Sequence, residues 1–336
     1  MWLLAAAAAA IGTAGAAAQT TVVALDPSFA AVIAPDATLE VMYAGTGSFF
    51  EGPTWVRSAA GEYLIFTDIE GNTINRLDGD GKASPLVRSI FSDTDRSQIP
   101  VLKLPERDVP MVGADGTTLD RDGRIVFAGY GTREVTRVEK DGRRTVLATG
   151  YGGKRFNTPN DLVYRSNGTL YFTDSSADTL RKDGDPLQGV SHSGVYTLKD
   201  GHVGLLIDDF VVPNGLAFSP DEKYLYVNDS RKKTIWRYEV RPDDTLTHGV
   251  LFADLSGRPE VGVPDGMKVD TLGDVYSTGP GGIWVFSPTG THIGTILAPG
   301  KLTNLGFGGH DGTTLYVTEP THVYRIALKI KGIGPD

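Results

Sequence analysis

One unit recurs six times between Glu51 and Glu319, and this limits what the chain can fold into. Repetition at a period of tens of residues marks a solenoid, an array or a propeller, where each unit buries its apolar face only against its neighbours. The unit opens on a small or turn residue and an acid or amide, often followed by Gly. An apolar–x–apolar step comes next, then a polar turn, then a β-rich run ending in a small or acidic residue. Glu51-Gly52-Pro53 leads to Tyr63–Asp68, and Ala114-Asp115-Gly116 to Ile125–Ala128. Pro159-Asn160-Asp161 leads to Leu170–Asp174, and Pro213-Asn214-Gly215 to Leu225–Asp229. Pro264-Asp265-Gly266 leads to Val275–Thr278, and Thr303-Asn304-Leu305 to Leu315–Glu319. The spacing, roughly 40 to 65 residues, is that of propeller blades.

Each copy reads as two strands joined by a tight turn, because apolar residues alternate with period two and the joins carry Asp-Gly, Asn-Gly or Asp-Glu. Most copies continue into a third strand, such as Thr234–Tyr238, and a fourth, such as Arg143–Leu147. Four strands in six units predict an all-β, six-bladed β-propeller with four-stranded antiparallel blades. The 42 Gly and 19 Pro suit a chain with that many turns. The strand Leu39–Tyr43 precedes the first copy and is expected to complete the last blade, closing the ring and removing its edges. The propeller domain is thus read as 38–330, after a lead-in over 19–37. Residues 92–112 make the longest connection between copies, and such connections are often functional. It is read as a loop over one mouth of the propeller, with a solvated surface insertion as the alternative.

Residues 1–18 are apolar or small and end in Ala16-Ala17-Ala18, the pattern of a cleaved signal peptide. They predict a periplasmic or secreted product. No other segment is apolar and long enough to span a membrane, so no membrane association is expected after cleavage. A net charge of −9 without a basic run argues against nucleic acid. The absence of cysteine excludes disulfides, thiolate metal sites and a Cys nucleophile. A monomer or simple homodimer is expected.

In a propeller the innermost strand of each blade starts beside the channel. The residues opening the copies, Glu51, Asp115, Asn160, Asn214, Asp265 and Asn304, should therefore converge at one mouth. Carboxylates and amide oxygens are what a hard divalent cation needs, and the lack of His there disfavours zinc as the natural ion. Asn-Gly and Asp-Gly are also ordinary turn dipeptides. Their recurrence at one phase of the repeat sets these copies apart. The Asp-x-Asp-Gly stretches at 78–81 and 120–123 lack the downstream Glu of a calcium loop and read as hairpin turns. There is no Gly-x-Ser-x-Gly elbow, His-Glu-x-x-His or phosphate-binding loop. His310 reads as a turn residue.

In order along the chain, Glu51-Gly52-Pro53, Arg155-Phe156-Asn157-Thr158-Pro159-Asn160-Asp161, Pro213-Asn214-Gly215-Leu216, Pro264-Asp265-Gly266-Met267, Gly279–Val285 and Thr303–Gly309 resemble the senescence marker protein, regucalcin and gluconolactonase family. The later segments are more similar to the bacterial gluconolactonases. The resemblance implies a six-bladed fold and one divalent cation, Ca²⁺, with Zn²⁺, Mn²⁺ and Mg²⁺ as substitutes. It implies that Glu51, Asn160, Asn214 and Asp265 hold the cation and that Asp265 is the general base. Asp161 would lie beside the metal or on the substrate side. Two positions depart from the family. Asp115 stands where many gluconolactonases have Asn, and Tyr130 stands roughly where they often have His. Both fall on the presumed substrate side, where Asp115, Tyr130, Arg155 and Asn304 would orient hydroxyls. The implied reaction is metal-assisted hydrolysis of a sugar lactone. Two alternatives stay open: other ester or organophosphate hydrolysis at the same site, and a non-catalytic calcium-binding propeller.

Overall fold

The computed structural model describes residues 22–46, 49–59, 61–92, 99–103, 107–175 and 189–334. The leader reading over 1–18 lies outside the described residues. Six antiparallel sheets follow one another around a channel, each a four-stranded meander. The innermost strands are Phe50–Ser58, Ala114–Leu119, Pro159–Tyr164, Pro213–Phe218, Met267–Val269 and Leu305–Gly308. The blades they start are numbered one to six.

The ring closes as expected from the sequence. Strand Glu40–Ala44 pairs with His322–Ala327, so the outermost strand of blade six comes from the N-terminal side of blade one. Residues before it are also built into the propeller. Val22–Ala24 adds a fifth strand to blade five, with Val22 opposite Ile296. The short helix Phe29–Val32 buries Phe29 and Val32 in the seam between blades five and six. Burying a side chain of Phe29's size stabilises by about 1.5–3 kcal/mol relative to leaving it exposed.

The core is a set of seams rather than one centre. Each pair of neighbouring blades shares an apolar cluster, because a strand buried on both faces needs a partner on each. Phe50 and Phe66 of blade one meet edge to face at 4.9 Å, packed with Tyr43 of the closing strand. Trp55 of blade one stacks on Tyr316 of blade six at 5.2 Å.

The long connection also takes definite form. Val101–Lys103 and Asp108–Pro110 pair as a hairpin. Val109, Met111 and Leu102 pack on Phe49, Ile69 and Tyr130 in a separate apolar cluster. Among the described residues no helix is long and apolar enough to cross a membrane.

Candidate metal centre and active site

The inner strands are bent where their functional residues sit. In blade one Glu51 pairs with Thr67 but Thr54 with Ile65, so three steps on one strand match two on the other. The same slip occurs between Ala114 and Thr117, Pro159 and Leu162, and Pro213 and Leu216. A β-bulge inserts one residue and re-aims its side chain. Here it accompanies Glu51, Asp115, Asn160 and Asn214. Asp265 and Asn304 lie just before the inner strands of blades five and six.

Each blade also grips the next. Thr67 Oγ1 donates to the Asp115 carbonyl at 2.9 Å, Thr173 Oγ1 to that of Asn214 at 2.9 Å, and Asn228 Nδ2 to that of Asp265 at 2.6 Å. Thr303 Oγ1 closes the circle onto the Phe50 carbonyl at 2.7 Å. The Gly of the repeat is explained by crowding between inner strands. A Cβ on Gly116 would lie 2.6 Å from Asp161 Oδ1 and 2.7 Å from the Asn160 carbonyl oxygen; one on Gly266 would lie 2.5 Å from Asn304 Cα. These Asp-Gly dipeptides are therefore close-approach sites in the channel wall, not turns.

A cavity of about 210 Å³ opens at this mouth. Glu51, Asp115, Asn160, Asn214 and Asp265 line its floor, and Tyr130 and Thr158 flank them. Glu51, Asp115, Asn160 and Asn214 are each 6% exposed or less, whereas Asp265 is only partly buried. The upper wall is apolar. Pro100, Leu102 and Met111 from the hairpin connection face Phe49, Ile69, Val212 and Val263. Ser230, Arg231 and Lys301 complete the lining.

The floor gathers buried carboxyl groups close to one another. Burial pushes the Glu51 carboxyl well above the usual carboxylate range, and the neighbouring Asp265 charge adds to the shift. Burial does the same to Asp115, with Glu51 next in importance. Like charges removed from water hold protons unless a cation joins them. The four residues assigned to the metal offer two carboxylates and two amides, an oxygen set suited to a hard ion. Among the described residues no three His, Asp or Glu side chains are grouped to hold a metal, so the amide oxygens would be essential to the set. Asn160 Nδ2 donates to Tyr130 Oη at 2.7 Å, which leaves its oxygen as the atom to offer a cation.

The remaining predicted residues divide. Asp115 and Tyr130 line the cavity, but the Tyr130 hydroxyl is engaged with Asp115 and Asn160. Asp161 and Asn304 lie in the channel wall outside the cavity lining. The Asn304 amide favours the charged forms of Glu51 and Asp161, and its oxygen accepts the Leu305 N–H at 2.8 Å. Asp161 fills the space beside Gly116 and pairs loosely with Lys268 at 3.9 Å. Arg155 is exposed, away from the cavity, and donates to the Thr132 carbonyl at 2.7 Å. His310 is fully exposed at the rim of a hairpin. Arg231, Lys301, Ser230 and Thr158 were not foreseen. Each adjoins a repeat landmark, Asp229, Thr303 or Pro159, but nothing in the repeat says which neighbour turns inward.

The opposite mouth holds a larger cavity of about 340 Å³. Of the charged residues there, Arg165 pairs with Glu222 at 3.7 Å, Asp120 with Arg124 at 2.8 Å and Lys268 with Asp161 at 3.9 Å, while Arg121 donates to the Ser166 carbonyl.

These features define a class: a six-bladed antiparallel propeller with a buried, oxygen-lined acidic site at one mouth of its channel. The chain belongs to the SMP-30/gluconolactonase/LRE-like family, whose description matches residues 49–321. It is similar to a gluconolactonase of Zymomonas mobilis, 33% identical over 318 residues that cover 91% of this chain and 85% of the relative. A pentonolactonase of Haloferax volcanii is 27% identical, covering 80% of each chain. The solved structure of a Xanthomonas campestris gluconolactonase superposes with a TM-score of 0.76 at 29% identity, covering 95% of this chain and 99% of that one.

Proposed function

We propose that this protein is a carboxylic ester hydrolase, a metal-dependent lactonase that opens sugar lactones at the channel mouth. The observation that carries the reading is the floor itself: Glu51, Asn160, Asn214 and the partly exposed Asp265 meet at the base of a small cavity. A volume of about 210 Å³ is below the range that holds drug-sized ligands, so it suits a single-ring substrate. Glu51, Asn160, Asn214 and Asp265 would hold the cation, with Ca²⁺ favoured by the all-oxygen donors. When bound, the ion supplies polarisation of the lactone carbonyl and stabilisation of the developing oxyanion.

Asp265 is the residue of this set most open to the cavity, and it accepts the proton of the attacking water. Its main-chain N–H donates to Thr278 Oγ1 at 2.9 Å, and its carbonyl is held by Asn228, so the base is fixed at both ends of its backbone. The water oxygen bonds to the carbonyl carbon. The ring C–O bond then breaks, and the ring oxygen takes up the proton that Asp265 removed, giving the hydroxy acid and restoring the carboxylate. The apolar wall of Leu102, Met111 and Val212 excludes bulk water from one side of the ring.

The test is proton release from D-glucono-1,5-lactone and pentono-lactones, measured with Ca²⁺, after chelation, and with Asp265→Ala. A rate above the spontaneous and mutant backgrounds that disappears with chelator and returns with Ca²⁺ is the expected result. A protein that binds Ca²⁺ yet opens none of these lactones refutes the sugar-lactonase reading and directs the search to other esters.

A further inference from the structure

Tyr130 occupies an unusual position. Its ring is 4% exposed and is packed among Phe49, Ile69, Val109 and Met111, which ties the hairpin connection to blade one. Its backbone N–H is fixed to the Gly113 carbonyl at 3.0 Å. Its hydroxyl lies between two residues of the floor, accepting from Asn160 Nδ2 at 2.7 Å and turned toward the Asp115 carboxyl, whose charged form it favours. A phenol has one proton to give and lone pairs to accept with, and both functions are used here.

This arrangement solves a problem that any amide ligand faces. The two ends of an Asn side chain have almost the same shape but opposite polarity. Turned one way, Asn160 offers oxygen to a cation; turned the other, it offers N–H, which repels the cation. With its O–H turned toward Asp115 and away from Asn160, the phenol presents its oxygen as an acceptor and selects the amide's NH₂ end. We propose that Tyr130 is a positioning residue for the cation site, holding the Asn160 amide with its oxygen toward the other ligands, and that Asp115 acts through it. This rests on the reading that the floor binds a cation. It also gives Asp115 and Tyr130 a joint role: the carboxylate and the phenol form one hydrogen-bonded unit.

The test is a calorimetric titration of Ca²⁺ into the metal-free full chain. It compares wild type, Tyr130→Phe, Asn160→Asp and the double variant, with Val109→Ala as a control that loosens the same cluster but keeps the hydroxyl. Groups that orient ligands from behind typically change metal affinity by about 10- to 100-fold. Tyr130→Phe should therefore weaken Ca²⁺ binding by roughly 10-fold or more. A carboxylate has oxygen at both ends and needs no orientation, so the same substitution beside Asp at position 160 should change affinity less than about twofold. Val109→Ala should also stay within about twofold. The proposal is overturned if Tyr130→Phe binds like wild type, if its loss persists in full beside Asn160→Asp, or if Val109→Ala loses as much. Wild type that takes up no Ca²⁺ overturns both the site reading and the proposal, whereas normal wild-type binding with an indifferent Tyr130→Phe overturns the proposal alone.

Discussion

At the scale of single residues, the floor is a compromise between charge and crowding. Under the proposed function Asp265 would carry two roles, ligand and base, and its carboxylate is the one least shielded from the cavity. A well-placed general base contributes roughly 10²–10⁴-fold, so Asp265→Asn is expected to cut kcat by that order in the lactone assay, with Ca²⁺ saturation checked by calorimetry. The glycine after it is as constrained as the acid. A methyl group on Gly266 would collide with the Asn304 amide and press on its backbone. Overpacking of that kind costs about 1–3 kcal/mol, so Gly266→Ala should lower the thermal midpoint and weaken Ca²⁺ binding together. An unchanged midpoint would show that blades five and six part more easily than their contacts imply.

At the scale of elements, two pieces that carry no ligand shape the site. The first is the strand pair Val101–Lys103 and Asp108–Pro110, which contributes Leu102 and, just beyond it, Met111 to the cavity wall. Truncating Met111 to Ala removes wall but no polar group. It should raise KM several-fold and leave kcat nearly unchanged, which steady-state kinetics on the best lactone would reveal. The second is the closing strand Glu40–Ala44. Its loss would expose the edge of His322–Ala327 and break the Glu40–Arg325 pair. An unpaired edge invites association. A chain beginning after Ala44 is therefore expected to appear in the insoluble fraction, and a soluble monomer of that length would contradict the closure argument.

At the scale of the whole molecule, buried carboxylates set the response to pH. Burial raises Glu51 and Asp115 well above their ordinary range, and raises Asp174 to about 7 despite the N–H groups of Asn157 and Thr158 that it accepts. Near neutrality the folded state therefore still holds, on Asp174, a proton that the unfolded state has released. Stability from these groups is fully present below the unfolded carboxylate range and is lost as pH rises through the raised values. In chelator, the thermal midpoint should fall between pH 5.5 and pH 8. Under the proposed function Ca²⁺ would take the place of a proton on Glu51, so the fall should flatten and the gain from Ca²⁺ should grow with pH. At 100 times the dissociation constant that gain is about 2.7 kcal/mol. Equal midpoints with and without Ca²⁺ at pH 8 would argue against a cation at the floor.

Much of this molecule could be read from its sequence, because a repeat is a local and periodic signal. Six copies with two-residue alternation are enough to set the blade count, and the common phase of Glu51, Asp115, Asn160, Asn214 and Asp265 is enough to bring them to one mouth. The closing strand followed from the need to leave no open edge. What the repeat cannot carry is anything that passes between blades. Asp161 and Asn304 share that phase or its neighbour, yet crowding beside Gly116 and Gly266 turns them into the channel wall. Arg155 stands near Asn160 in sequence but is held outside by the Thr132 carbonyl. The Thr67, Thr173 and Asn228 clamps look like ordinary strand residues until the next blade supplies their acceptors. The sequence by itself determined the architecture and the identity of the oxygen ring, since both depend on period and residue type. Only the tertiary structure decided which of those side chains face the cavity, what the Tyr130 hydroxyl does and which apolar residues cover the site, since these depend on contacts between segments far apart in the chain.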